Sequence, residues 1–398
     1  MLSVVIYHAV AAYSTMTPWW TVHDGVYVPA DIVRQVFDVY MMPVFFFIAG
    51  YFALSSFQKK GLSVFISDKF KRLGIPWLLV MLTIIPLSIY SGQLKNPTGE
   101  AVHGFWNYFI SRYLGSFGTV RLGMLPTGQI TQMHFWYISL LIAFFIFFGV
   151  VYHLISMWRL HGSSPAAVKT ESIAEPATTA SIMKAILLFG VLSIAFSFAA
   201  MLVFPDMSWV AINLLLQFQP TKVCIYVFIF GLGIYAYHRQ WFENTTFFSR
   251  SGVWALVSVL LTVSYLFCGQ EVFTHANDSQ TLSPALLLAF AAIRSILCPA
   301  ILIMLLSFAY KYVNRPLAFN QNLAANSFNI YLVHFFFVIF LQHLLILWGS
   351  GPALAKIGIV LLITIPASYG ISRIINRFPR GFAIVIIGLS VLAGLAMH

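Results

Sequence analysis

The stretch FDVYMMPVFFFIAGYFALSSFQKKG, residues 37–61, decides the fold. Between Asp38 and Lys59 it carries no charge, and it is rich in Phe, Val, Ile, Met and Ala. A helix needs about 20 apolar residues to cross the hydrocarbon core of a bilayer. This run meets that length and ends on Lys59-Lys60, the basic flank that marks a cytoplasmic end.

The rest of the chain repeats the pattern. Of 398 residues, 60% are hydrophobic, 17% aromatic and 8% charged, with a mean hydropathy of +0.88. Soluble domains carry about 25% charged residues, so the composition predicts an all-α polytopic membrane bundle in a single integral-membrane domain spanning 1–398. Apolar windows fall at 1–16, 36–57, 73–91, 134–156, 183–204, 221–238, 253–270, 284–310, 326–347 and 354–373, with a short eleventh at 381–397. The first window is short before Thr15, Thr17 and Pro18, which predicts a first helix truncated at Met1.

Net charge is +11, yet no basic run is interleaved with polar sequence as nucleic-acid binding requires. The cations are topology signals. Lys59, Lys60, Lys69, Lys71, Arg72, Arg159, Lys169, Lys184, Arg239, Arg250, Lys311, Arg315, Arg373, Arg377 and Arg380 fall on one side, and the positive-inside rule makes that side cytoplasmic. Arg34, Lys95, Arg112, Arg121, Lys222 and Lys356 fall on the other. The external loop 92–133 contains HGFWNYFISRYLGSFG, which suits an interfacial helix or a lid. DMSWVAINLLLQFQP (206–220) is too broken to span and is expected in the outer interface. The cytoplasmic segment 157–183 has the composition of a disordered linker.

Cys224, Cys268 and Cys298 lack metal-ligand spacing and suit packing or lipid-facing roles. No Walker motif, GxGxxG before a helix, HExxH or GxSxG is present, which removes nucleotide hydrolysis, dinucleotide redox and soluble-hydrolase chemistry. No bound cofactor or metal is expected.

The chemistry is carried by ionisable groups inside spans. His8 lies in MLSVVIYHAVAAY (1–13) and His334 in SFNIYLVHFFFVIF (327–340). An imidazole in hydrocarbon is costly unless it faces a polar interior, so each marks either a site or a helix-packing hydrogen bond. Ser327, Tyr331 and His334 fall at i, i+4 and i+7, on one helix face. That stripe either lines a substrate path or glues helices. His134 and Trp136 open a span at the outer interface, as site-lining or belt residues. Asp38 and Arg294 are buried charges in outer helix halves and are expected to pair with each other.

Five ordered blocks carry a resemblance: Tyr7-His8-Ala9, MPVFFFIAGYF (42–52), KFKRLGIPWL (69–78), HFWYISLLIAFF (134–145) and SFNIYLVHFFF (327–337). Together they resemble the acyltransferase 3 family of bacterial membrane acyltransferases, and most of all its OpgC/MdoC-type branch, which succinylates periplasmic glucans. The resemblance implies a multi-pass enzyme of the bacterial cytoplasmic (inner) membrane. It would transfer groups other than amino-acyl groups, from cytoplasmic acyl-CoA as co-substrate to a hydroxyl of an extracytoplasmic glycan. The family's first-helix histidine maps to His8, as catalytic base. The arginine that usually precedes it by about eleven residues would fall before Met1. Arg72 would bind the donor's phosphates, with Lys69 and Lys71 adding charge, and His134, Trp136, Ser327, Tyr331 and His334 would line the substrate site. The rival class is a secondary transporter, but no internal repeat or matched pair of broken spans supports it.

Overall fold

The computed structural model describes residues 1–17, 20–95, 104–115, 122–124, 132–162, 176–212, 215–274, 282–313 and 317–377. The expected eleventh span, 381–397, and residues 163–175 of the expected linker lie outside them. Among the described residues, eight helices are long and apolar enough to cross a membrane, and the protein is an all-α polytopic bundle.

The chain opens with α1 (Leu2–Ala9) and a 3₁₀ turn (Ala11–Tyr13). Helix α2 (Val28–Lys69) is bent at Gly61, whose φ of 69° is left-handed and strained for any residue with a Cβ. The bend separates the outward span from the turn that carries the basic cluster. A π-helical turn (Phe70–Gly74) follows, then α3 (Ile75–Leu82) and α4 (Ile84–Lys95). In the expected external loop a short α5 (Phe105–Asn107) runs into a π-helical stretch (Tyr108–Leu114), so this part of 92–133 is helical.

Next come α6 (Trp136–Gly162) and α7 (Thr179–Met201). Both ends of the expected linker are therefore helical. Segment 206–220 does not span, and it carries two short paired strands. Strands β2 (Val210–Ile212) and β3 (Leu216–Phe218) pair antiparallel, and β1 (Leu122–Met124) adds antiparallel to β2. The bundle is completed by α8 (Pro220–His238), α9 (Thr245–Phe248), α10 (Ser251–Thr274), α11 (Pro284–Phe308), α12 (Ala318–Ile346) and α13 (Ala353–Arg377).

Helices α2 and α8 touch at the backbone. A Cβ built on Gly50 would lie 2.1 Å from the Phe230 carbonyl oxygen, and one on Gly233 would lie 2.2 Å from that of Phe47. Small residues permit this approach, and packing then replaces the hydrophobic drive that lipid does not supply. Phe147, Leu187, Phe267, Leu347 and Leu362 stand exposed, as lipid-facing side chains do.

Buried apolar residues form two clusters. The larger gathers Phe46, Phe135, Tyr226, Phe290 and Tyr331 from most of the bundle. The smaller gathers Val5, Ala9, Trp20, Phe335, Val338 and Val360 from α1, α12, α13 and the segment after α1. Helix α12 contributes to both, and His334 stands between its Val333 in one and its Phe335 in the other.

Candidate active site

Three histidines meet at that seam. His334 is fully buried, His8 is 4% exposed and His134 is 8% exposed. Their ring centroids lie 5.1 Å (His8–His334), 5.2 Å (His8–His134) and 5.4 Å (His134–His334) apart. They come from α1, α12 and the 3₁₀ turn Met133–Phe135 that leads into α6.

The hydrogen bonds fix the tautomers. Nδ1 of His334 faces the carbonyls of Ile330 (3.1 Å) and Tyr331 (2.8 Å), which only accept, so this nitrogen carries the hydrogen. Nε2 of neutral His334 is then an acceptor. It lies 2.9 Å from Nδ1 of His8, which must donate. Nε2 of neutral His8 is left with a bare lone pair. A backbone carbonyl thus orients one imidazole, and that imidazole orients the next. Among the described residues neither ring is hydrogen-bonded to a carboxylate.

The two rings are nearly parallel, at 10°. With nitrogens 2.9 Å apart, a centroid separation of 5.1 Å means a coplanar, in-line hydrogen bond rather than a stack. The facing nitrogens point at each other, which leaves no room for a metal between them. Among the described residues no group of His, Cys, Asp or Glu is arranged to hold a metal ion.

The surroundings hold His8 in place. Trp20 lies over its ring at 5.4 Å and 22°. The Trp20 indole N–H donates to Gln342 Oε1 at 2.9 Å. Gln342 Nε2 in turn donates to the carbonyls of His8 and Ala9, both at 3.1 Å. The His8 carbonyl also accepts a backbone N–H at the end of α1, so one glutamine adds to that cap and seats the tryptophan. The segment between α1 and α2 is fastened at both edges. Ser14 Oγ and Thr15 Oγ1 donate to Asp31 at 2.6 and 2.9 Å, and Asp24 accepts from Tyr13 at 3.2 Å and from Lys356 at 2.7 Å. Arg34 donates to the Tyr7 carbonyl at 3.0 Å and lies 4.0 Å over the Tyr7 ring, bracing the residue before His8.

His134 differs from the other two. Its ring lies on Phe335 at 4.3 Å and presents its edge to His8. Neither ring nitrogen has a hydrogen-bond partner among the described residues. Leaving such a buried group unsatisfied costs about 1–3 kcal/mol. Its backbone is strained and pinned. Met133 has φ of 50°, a conformation that costs a non-glycine residue about 1–2 kcal/mol. The Tyr331 hydroxyl donates to the His134 carbonyl at 2.5 Å, Gln132 N–H donates to Gln217 Oε1 of β3 at 2.8 Å, and Ser139 donates to Gln132 Oε1 at 2.8 Å. The hairpin therefore positions His134.

Of the residues singled out in the sequence, His8, His134, Tyr331 and His334 are brought together. Trp136 turns the other way, edge-on to Trp209 at 5.4 Å and parallel to Tyr226 at 6.1 Å. Ser327 is not brought to the cluster, because its hydroxyl donates to the Ala324 carbonyl of its own helix at 2.7 Å. The polar residue that α12 buries there is Asn326, bonded to Ser372 and Asn376 of α13. Arg72 is exposed in the π-helical turn at the other end of the bundle. Beside it, Lys69 Nζ lies 4.2 Å over Phe145 of α6. A cleft of about 770 Å³ opens there between Leu62, Ser63, Ile66, Ser67, Phe70 and His153. His153 is nineteen residues beyond His134, or about 28 Å of helix rise.

The expected Asp38–Arg294 pair does not form. Asp38 pairs with Lys222, and Arg294 with Asp206 at 2.6 Å. The hairpin folds back over the bundle and brings Asp206, which also accepts from Thr221 at 2.9 Å, into reach of Arg294. Sequence reading missed the structural parts of Arg34, Trp20 and Gln342. Gln342 was findable, since it falls on the His334 face at i+8 through Val338.

The profile of the family described as an acyltransferase domain matches residues 1–373. No curated protein and no solved structure gives a match. A match over nearly the whole chain assigns the protein to the acyltransferase 3 family of membrane acyltransferases.

Proposed function

We propose that this enzyme moves an acyl group from cytoplasmic acyl-CoA to a hydroxyl of an extracytoplasmic glycan in the bacterial inner membrane, with His8 as general base. The observation that carries the reading is the chain from the α12 carbonyls through His334 to His8, which leaves His8 Nε2 as the open acceptor. A sugar hydroxyl is a poor nucleophile at neutral pH. Removal of its proton as it attacks the thioester accelerates acyl transfer by about 10²–10⁴-fold.

The distribution of charge supports a donor entering from the basic side. Lys69 packs on Phe145, eleven residues from His134 along α6, about 16 Å of helix rise. That is comparable to an extended pantetheine arm, so phosphates held near Lys69 and Arg72 leave the thioester within reach of the histidines. The acceptor reading rests on the likeness to the OpgC/MdoC-type branch and on the position of His134 beside the outer hairpin. Trp136 and Trp209, side by side at that hairpin, offer aromatic faces of the kind sugars pack against.

The test is thiol release from acyl-CoA by the protein in vesicles, with a glucan acceptor and mass spectrometry of the product. His8→Ala is expected to lose the about 10²–10⁴-fold supplied by the base, while still inserting normally. His8→Gln keeps a hydrogen bond but supplies no usable base, and is expected to be equally inactive. A well-inserted His8→Ala protein with the wild-type rate, or a wild-type protein that frees no thiol, defeats the reading.

A further inference from the structure

We infer that His134 is a second catalytic residue, donating the hydrogen bond that stabilises the oxyanion formed when the acceptor attacks the thioester. This rests on the acyl-transfer reading and assigns that site its electrophilic half.

Three independent observations converge. First, His134 is buried with both ring nitrogens free of hydrogen bonds among the described residues, whereas the neighbouring His8 and His334 are tied into a relay. A neutral imidazole always carries one N–H, so among the described residues this ring holds a donor without a hydrogen bond of good geometry. Second, the ring stands edge-on to His8 at 5.2 Å, on the same seam. Donor and base therefore lie side by side, as the two halves of an acyl-transfer site must. Third, the left-handed Met133 and the pinning bonds from Tyr331, Gln132, Gln217 and Ser139 hold the ring there against backbone strain. Strain kept by so many contacts points to a position that is required.

The step balances without any further reactant. His8 Nε2 takes the hydroxyl proton as the sugar oxygen bonds to the thioester carbon. The carbonyl π pair moves to its oxygen, which accepts the His134 N–H. Collapse breaks the C–S bond, and the leaving thiolate takes the proton from the His8 imidazolium. The products are an ester and free coenzyme A, and His134 stays neutral throughout.

The experiment compares His134→Phe, which keeps a ring against Phe335 but has no N–H, with His134→Gln, which restores an amide donor. Each is reconstituted as the full chain, and thiol release from acyl-CoA is followed with glucan and without it. Without glucan, water is the nucleophile and the same oxyanion forms. His134→Phe is expected to lower kcat about 10²–10³-fold in both reactions, with KM for donor and acceptor nearly unchanged. His134→Gln is expected to recover part of it. A loss confined to transfer, with hydrolysis intact, would make His134 an acceptor-binding residue and overturn the assignment. Wild-type kcat in His134→Phe would make it packing alone. Failure of the inference is separable from failure of the underlying reading. An inactive His8→Ala beside an active His134→Phe removes only the oxyanion role, whereas an active His8→Ala removes the base itself.

Discussion

The two ends of the bundle use charge in opposite ways. At the end that carries the 206–220 hairpin, Lys222, Lys356 and Arg294 are buried and each is closed on an aspartate, and Arg34 is buried against Tyr7. At the other end, the one expected in the cytoplasm, Lys59, Lys71 and Arg72 stand exposed. Buried pairs contribute geometry at the cost of desolvation. Exposed cations keep their hydration and attract anions over about 8 Å at physiological salt. The hairpin end is therefore built to hold side chains still, and under the proposed function the other end would capture an anionic donor.

The sharpest way to break this contrast is to loosen the relay. His334→Leu should leave His8 free to rotate and choose its tautomer, lowering kcat by about a hundredfold or more with KM nearly constant. His334→Gln should recover part, because its carbonyl oxygen replaces Nε2 as acceptor for the His8 N–H. Steady-state kinetics of the two variants decides it. Equal activity in all three proteins would mean that His334 is only packing.

The Asp206–Arg294 ion pair tests rigidity. Asp206→Ala strands Arg294 in the bundle, and breaking such a pair costs about 3–5 kcal/mol, readable as a lower melting temperature in detergent. Asp206→Ala with Arg294→Met should restore much of it. Burial pushes the Asp206 carboxyl up, but Arg294, Lys222 and the hydrogen bonds outweigh this and hold it below its ordinary value. Its contribution is thus complete above the unfolded carboxylate pKa, about 3.9, and is lost as pH falls through the lower folded value. The double variant should lack that part of the acid sensitivity.

What the sequence revealed follows the same division. Spans were legible because lipid demands long apolar helices, and His8 and His334 because an imidazole there is expensive. Tyr331 was legible from helical spacing. The same spacing misled for Ser327, since a helical serine can satisfy itself on its own backbone. The ion-pair partners were not legible. Asp38 and Arg294 each had to find a counter-charge, but the choice depended on how the 206–220 segment folds, and three-residue strands leave little periodicity to read. The idle nitrogens of His134 exist only in three dimensions.

The basic end is tested through Arg72, the smallest of these effects. One charge-assisted contact to a phosphate is worth about 1.5–3 kcal/mol, or about tenfold to a hundredfold in affinity. Arg72→Ala should raise KM for acyl-CoA by that factor and leave KM for the acceptor unchanged. Arg72→Lys should recover only part, because a point charge does not reproduce the planar fork. Added salt should weaken acyl-CoA binding by the wild-type protein more than by the variant, since an exposed cation is screened and its absence is not. A short thioester without nucleotide phosphates should show no difference between the two proteins. An equal penalty with both donors would mean that Arg72 supports the turn between α2 and α3. The contrast between a capturing end and a holding end would then fail at its basic half.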